Sequence, residues 1–195
     1  MTAFTTLCSR SCSFLVLLAG LWFAAGPASA VAADGIEVKS AQLVAREDGY
    51  ALLADLEISL TPTLEEALNR GVTLFFVFEF ELIRPRWYWL NEKVVEFRQQ
   101  YRLTFNTLTR QYRVSTGSLY QNFSSLTEAL VFMSRIRRPQ IVPAAALRSD
   151  AEYAAALRMR LDVSELPKPF QVNALASREW NIGSDWYRWT VSVAP

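Results

Sequence analysis

The chain has 195 residues, a formal charge of +1, two cysteines and no histidine. Without histidine it lacks the side chain that titrates near neutral pH and is the commonest metal ligand. Both cysteines, Cys8 and Cys12, lie in an N-terminal leader, so the rest of the chain offers no thiol nucleophile and no soft-metal site.

The leader has the three parts of a secretory signal. Met1 to Ser13 is polar, with Arg10 as its one charge, Phe14 to Gly26 is an apolar core, and Pro27-Ala28-Ser29-Ala30 places small residues before a cut after Ala30. A second cut is read after Ala33. The apolar core would span only about 20 Å as a helix, short of the roughly 30 Å hydrocarbon layer, so residues 1–30 are expected to be cleaved rather than to anchor. Both cysteines precede the apolar core, which argues against a lipoprotein. Removing Arg10 leaves 19 basic and 19 acidic residues, a balance that argues against nucleic acid or an anionic membrane face as partner. The remainder, read as one domain over 34–195, is expected in the periplasm, with no stable membrane insertion after cleavage.

Period-two alternation dominates that domain. Ile36 to Arg46 and Tyr50 to Leu60 read as a hairpin across Asp48-Gly49. A short helix follows, capped by Thr63 with Glu66 and stopped at Gly71. Val72 to Arg84 is the most apolar strand, with Leu74, Phe76, Phe78, Phe80 and Leu82 on one face, and Pro85 ends it. Val94 to Phe105, Gln111 to Ser115 and a piece from Gly117 to Phe123 continue the strands. Ser125 and Glu128 form a capping box that opens a helix from Leu126 to Arg137. In this reading Arg135, Arg137 and Arg138 complement the helix dipole and Pro139 closes it. Residues 139–152 read as loop, Tyr153 to Val163 as a strand, Phe170 to Leu175 as extended after Pro167 and Pro169, and Asp185 to Val193 as the last strand. Many short strands with two short helices predict a mainly β fold, an antiparallel β-sandwich of immunoglobulin-like or related type.

Arg160-Leu161-Asp162, Leu166-Pro167-Lys168-Pro169-Phe170, Ser177-Arg178-Glu179-Trp180 and Ser184-Asp185-Trp186-Tyr187-Arg188-Trp189 follow one another in the last third. In that order they resemble an uncharacterised family of exported proteins of Gram-negative bacteria, a domain of unknown function. The resemblance extends to the early hairpin and to Arg84-Pro85-Arg86-Trp87-Tyr88-Trp89. Members of that family are often encoded beside a membrane sensor kinase and its response regulator, which implies a role in envelope signalling. The family has no established activity, so the resemblance implies no catalytic residue.

The residues themselves give little chemistry. Glu79 and Glu81 share a face of one strand about 7 Å apart, but two acids side by side on a strand do not flank a sugar as glycoside hydrolysis requires. They are expected to pair with arginines on a neighbouring strand, such as Arg98 or Arg102. The loops Glu47-Asp48-Gly49 and Asn181-Ile182-Gly183-Ser184-Asp185 carry oxygen ligands without calcium-loop spacing and read as turns. Lys39, Lys93 and Lys168 give no serine-lysine setting. No catalytic residue, metal site or cofactor is expected.

The tryptophans are the stronger lead. Trp87, Trp89, Trp180, Trp186 and Trp189 form two clusters with Arg84, Arg86, Arg178 and Arg188 nearby, and Trp and Arg dominate binding hot spots. Arg84, Arg86, Trp87, Trp89, Trp180, Trp186 and Arg188 are therefore the candidate binding residues. Arg135, Arg137 and Arg138, with Arg148, form a further group able to grip an acid. The expected function is a non-enzymatic interaction or accessory module. Its expected partner is another envelope protein, such as a sensor kinase's periplasmic domain; a lipid- or glycan-binding sandwich is the alternative.

Overall fold

The computed structural model describes residues 35–85, 92–148 and 151–192. Its first strands, β1 (Gly35–Arg46) and β2 (Gly49–Ser59), pair antiparallel from Gly35↔Ser59 to Arg46↔Gly49, so the predicted hairpin turns on Glu47 and Asp48. Gly49 has φ +146°, and a β-carbon there would stand 2.2 Å from the carbonyl oxygen of Val142. The glycine is thus required twice, by its dihedral and by the strand laid against it.

Helix α1 (Pro62–Asn69) follows, but its cap is Thr61 rather than Thr63. The Thr61 hydroxyl accepts from the Leu64 N–H at 3.3 Å, and Pro62 occupies the first turn, where its missing N–H costs nothing. Glu66 pairs with Arg70 one turn later at 2.5 Å. Leu64, Ala67 and Leu68 bury the inner face of this helix.

Strand β3 (Leu74–Arg84) lies between β4 (Glu92–Asn106) and β8 (Glu152–Leu161), antiparallel to both. Sheet order is β6-β5-β4-β3-β8-β9, with β5 (Gln111–Thr116), β6 (Leu119–Phe123) and β9 (Tyr187–Ser192) completing it. Leu74, Phe76, Phe78, Phe80 and Leu82 are fully buried on one face of β3, as the alternation predicts. Each such side chain contributes about 1.5–3 kcal/mol of transfer free energy. Opposite them on β8, Tyr153, Ala155, Leu157, Met159 and Leu161 are buried in the same core.

The second sheet has three strands in the order β1-β2-β7, where β7 is Arg135–Pro143. This corrects two expectations. Helix α2 (Leu126–Ser134) ends at Ser134, and the arginines assigned to its last turn, with the first residues of the supposed loop after it, 139–143, form a strand. The cause is tertiary. β2 would otherwise expose a ladder edge, and Ile136, Ile141 and Val142 bury themselves where β7 covers that edge. Arg137 donates to the Ala54 carbonyl at 2.8 Å and to Asp55 Oδ1 at 2.6 Å.

Two further expectations change in the last third. Residues 168–176, expected as extended in part, form a third helix, α3 (Lys168–Ala176), so the described residues hold three α-helices rather than two. Lys168 and Pro169 sit in its first turn, the position proline tolerates, and so the prolines start a helix instead of marking a strand edge. The last strand begins at Tyr187, not Asp185. Ahead of it, Leu161 N–H donates to the Ile182 carbonyl at 2.9 Å and Ser184 N–H to the Met159 carbonyl at 2.8 Å, fixing residues 182–184 against β8.

The two antiparallel sheets share one core, the predicted sandwich, but with unequal widths. β1 approaches β8 and β9. β7 lies over β4, where Arg138 donates to Gln99 Oε1 at 3.0 Å and covers the Phe97 ring at 5.3 Å. The inner faces of β5 and β6 extend beyond β7, and α2 covers part of them.

Gly49→Ala is expected to destabilise the protein by roughly 2 kcal/mol or more, since the β-carbon must displace the β7 backbone. A denaturant midpoint unchanged from wild type would contradict this account of the β2–β7 contact.

Candidate functional site

The tryptophan–arginine clusters do not assemble one surface among the described residues. Arg86, Trp87 and Trp89 lie outside the described residues. Arg84 ion-pairs with Glu92 at the end of the β3–β4 ladder. Trp180 is only 5% exposed, against Phe170 with ring centroids 5.3 Å apart, so it serves the core. Trp189 turns to the inner side of the large sheet, near Phe80 at 6.3 Å and Tyr187 at 5.8 Å. Trp186 is half-buried, with the Arg158 guanidinium over its ring at 4.4 Å. Arg188 is exposed opposite Ala156. Three tryptophans thus occupy three different environments, and the Trp186 ring face is occupied by an arginine of the same chain.

Glu79 and Glu81 have partners on the outer face of the large sheet. Glu79 accepts from Arg158 at 2.5 Å and lies 3.6 Å from Arg160, both on β8. Glu81 pairs with Lys93 at 2.7 Å. Arg98 stands opposite Glu79 in register, as expected of a cross-strand partner, but its ion pair is with Asp162 at 3.5 Å. Arg102 lies over the Phe75 ring at 5.4 Å. Among the described residues, no three of the carboxylates gather as a metal-binding group. The arrangement is a ladder of ion pairs, which holds Arg158 flat against Trp186.

A different place has the character of a binding site. Where the inner faces of β5 and β6 pass beyond β7, a groove of about 830 Å³ opens between them and α2. That volume falls in the range of ligand-binding clefts. Val114, Leu119 and Phe123 form its sheet side, and Val131 and Phe132 its helix side. Leu119 is 77% exposed and Val131 and Phe132 are 42% exposed, so large apolar side chains gather around one opening. Arg135, Arg137 and Arg138 form the third side.

Helix α2 is held in place by its N-terminus. The Ser125 hydroxyl accepts from the Glu128 N–H at 3.2 Å, the first half of the predicted capping box. Glu128 reaches back one residue further than expected, accepting from the Ser124 hydroxyl at 2.7 Å and the Ser124 N–H at 3.2 Å. The Ser124 hydroxyl hydrogen bond, with the smaller backbone bonds of Ser124 and Ser125, holds the Glu128 carboxyl below its ordinary value near 4.5. On the inner side, burial pushes the Tyr101 phenol up, and the charge of nearby Arg138 opposes it.

The family model described as Domain of unknown function (DUF4390) matches residues 33–190. The chain belongs to the DUF4390 family. The DUF4390 match spans both sheets and all three helices, so the groove lies wholly inside the family domain. No curated protein and no solved structure gave a significant match. Among the described residues of this DUF4390 domain, no helix is long and apolar enough to cross a membrane.

The arginines of the groove were singled out in the sequence as a group able to grip an acid, but were placed at a helix end. The apolar half of the site was missed because Leu119 and Phe123 were read only as a short extended piece. The available signal was a strand, Leu119 to Phe123, with no charged residue, beside a helix whose exposed side carries Val131 and Phe132.

Glu79→Gln is expected to cost about 1–2 kcal/mol, because it leaves two partly buried guanidiniums without their shared carboxylate. Glu81→Gln, facing an exposed lysine, should stay within about 0.5 kcal/mol. Equal losses in denaturant unfolding would remove the distinction between the two acids.

The lowered Glu128 value fixes a sign. Its stabilising contribution is complete above the unfolded-state value and is lost as pH falls through the lower folded-state value. Between neutral pH and about pH 3, wild type should therefore lose more stability than Glu128→Gln, as followed by unfolding midpoints. Parallel curves would show that the carboxylate is not coupled to folding.

Proposed function

We propose that this DUF4390 protein is a non-enzymatic, exported interaction module of the Gram-negative cell envelope that docks a partner protein in the groove beside α2. The observation that carries this reading is the meeting of exposed Leu119, Val131 and Phe132 with Arg135 around one opening. Apolar anchors bordered by arginine are the composition of a binding hot spot. Export is supported by the composition of residues 1–30: one positive charge, a thirteen-residue apolar core and a small-residue cleavage site. The partner is an envelope protein, and the resemblance to proteins encoded beside a sensor kinase makes that kinase's periplasmic domain the first one to test.

The reading without catalysis is supported by the engagement of the acids. Glu79 and Glu81 are each tied to a cation of a neighbouring strand, Asp162, just past the end of β8, is tied to Arg98 on β4, and the chain has no histidine to move a proton.

A photocrosslinking amino acid at position 132, in intact cells, should give one discrete adduct with an envelope protein. The same probe at position 188, on the opposite face of the large sheet, should give none. The adduct should disappear when Leu119→Asp is added to the position-132 variant. Crosslinks of equal yield from both positions, or none from position 132, would count against the groove as the docking surface.

A further inference from the structure

We infer that the groove receives an extended segment of the partner protein, which adds as a new strand along the outer edge of β6 and points a carboxylate at Arg135. This rests on the reading of the groove as a docking surface, and adds to it the mode of binding and the chemistry of the bound segment.

The four edge strands are not alike. β1 carries Glu37, Lys39 and Arg46 and has an irregular register between Val38 and Ser40. β7 carries Arg135, Arg137, Arg138 and two prolines, and β9 carries Arg188. Charges, prolines and bulges on an edge are what discourage another strand from pairing there. β6, Leu-Tyr-Gln-Asn-Phe, has none of them, and its register with β5 is unbroken. Leu119 and Tyr120 are 77% and 65% exposed, and among the described residues nothing pairs with the outer side of this strand.

Backbone geometry says which groups are open. The two-residue turn Gly117-Ser118 closes on the pair Thr116↔Leu119. In a two-residue hairpin that closing pair exchanges hydrogen bonds, and hydrogen-bonded pairs then alternate along the ladder. Leu119, Gln121 and Phe123 are therefore turned toward β5, and the N–H and C=O groups of Tyr120 and Asn122 point outward. An added strand would bond to these two residues, and its inward side chains would enter the groove beside Leu119 and Phe123, facing Phe132.

Charge selects the rest of the segment. Arg137 is already paired with Asp55 at 2.6 Å, and the groove's one carboxylate, Glu128, is held by Ser124. Arg138 has the neutral partner Gln99, and no described carboxylate lies within ion-pair distance of Arg135. The complement is an extended segment whose groove-facing positions, every second residue, hold bulky apolar residues and one aspartate or glutamate placed to reach Arg135. A second copy of β6 fits less well. It brings no acid to Arg135, and a five-residue edge about 17 Å long cannot by itself supply the roughly 800 Å² per partner of a stable interface.

The test selects random short peptides displayed on phage against the purified protein, then measures labelled peptides by fluorescence anisotropy. Selected peptides should carry bulky apolar residues and an acid at every second position, on one face of the strand. Their binding should fall roughly tenfold or more with Phe132→Asp, with Arg135→Glu and with Asn122→Pro. Asn122→Pro removes an outward N–H without touching the ladder to β5, and Asn122→Ala, which loses only the 2.9 Å bond from Arg113, should bind normally. Tyr120→Pro replaces it if Asn122→Pro shifts the unfolding midpoint. Peptides that need Phe132 but bind both proline variants normally would overturn strand addition and leave the groove as a docking surface. The absence of any peptide that depends on Phe132 would overturn both. Sodium oleate is measured in parallel; oleate binding lost in Arg135→Glu, without peptide binding, would assign the groove to a single-chain amphiphile and overturn the proposal.

Discussion

Three strands laid over six leave part of the wider sheet's inner face without a partner, and most of the architecture follows from how that remainder is covered. On one flank β1 reaches β8 and β9, and Trp189 fills space beside Phe80. On the other flank β7 stops over β4, and the inner faces of β5 and β6 meet a nine-residue helix instead of a strand. A helix covers a sheet along a stripe rather than across its whole width. The apolar side chains of Leu119, Val131 and Phe132 therefore remain at the surface while Phe76, Phe78 and Phe80 do not.

The opposite face of the wide sheet solves a different problem, that of many guanidiniums on one surface. Arg158 is held between Glu79 and the Trp186 ring, Arg98 reaches Asp162, and Arg102 lies on Phe75. These contacts spend aromatic and acidic side chains on internal order.

Much of the fold was legible in the sequence because most strands obey a simple alternation with one buried face. Tyr50 to Leu60, Val72 to Arg84 and Tyr153 to Val163 are three such stretches, and Asp48-Gly49 marked the first turn. Residues 135–143 were not legible, since Arg-Ile-Arg-Arg-Pro-Gln-Ile-Val-Pro has an irregular pattern and follows a helix without a break. Its strand state is imposed by the open edge of β2, a long-range demand that no local window contains. The prolines at 167 and 169 misled for the reverse reason: proline opens helices as readily as it ends strands. The tryptophans were conspicuous by residue type, but type does not say whether a ring faces the core, an arginine or solvent. The groove was legible only in halves, with its arginines read as a helix end and its apolar side chains left among short strands.

The pairing of β2 with β7 also bears on how the chain reaches this structure. Arg137 and Asp55, joined across that pair, are 82 residues apart. Loop-closure entropy must be overcome before such a contact returns any stabilisation, and topologies dominated by distant pairings fold slowly. β1 and β2 can meet as soon as their two-residue turn forms, whereas the other edge of β2 must wait for β7, whose paired residues lie 80–94 positions further along. The small sheet is therefore completed late, and until then β2 is a half-covered apolar strand whose persistence sets the interval in which the folding chain is open to wrong partners.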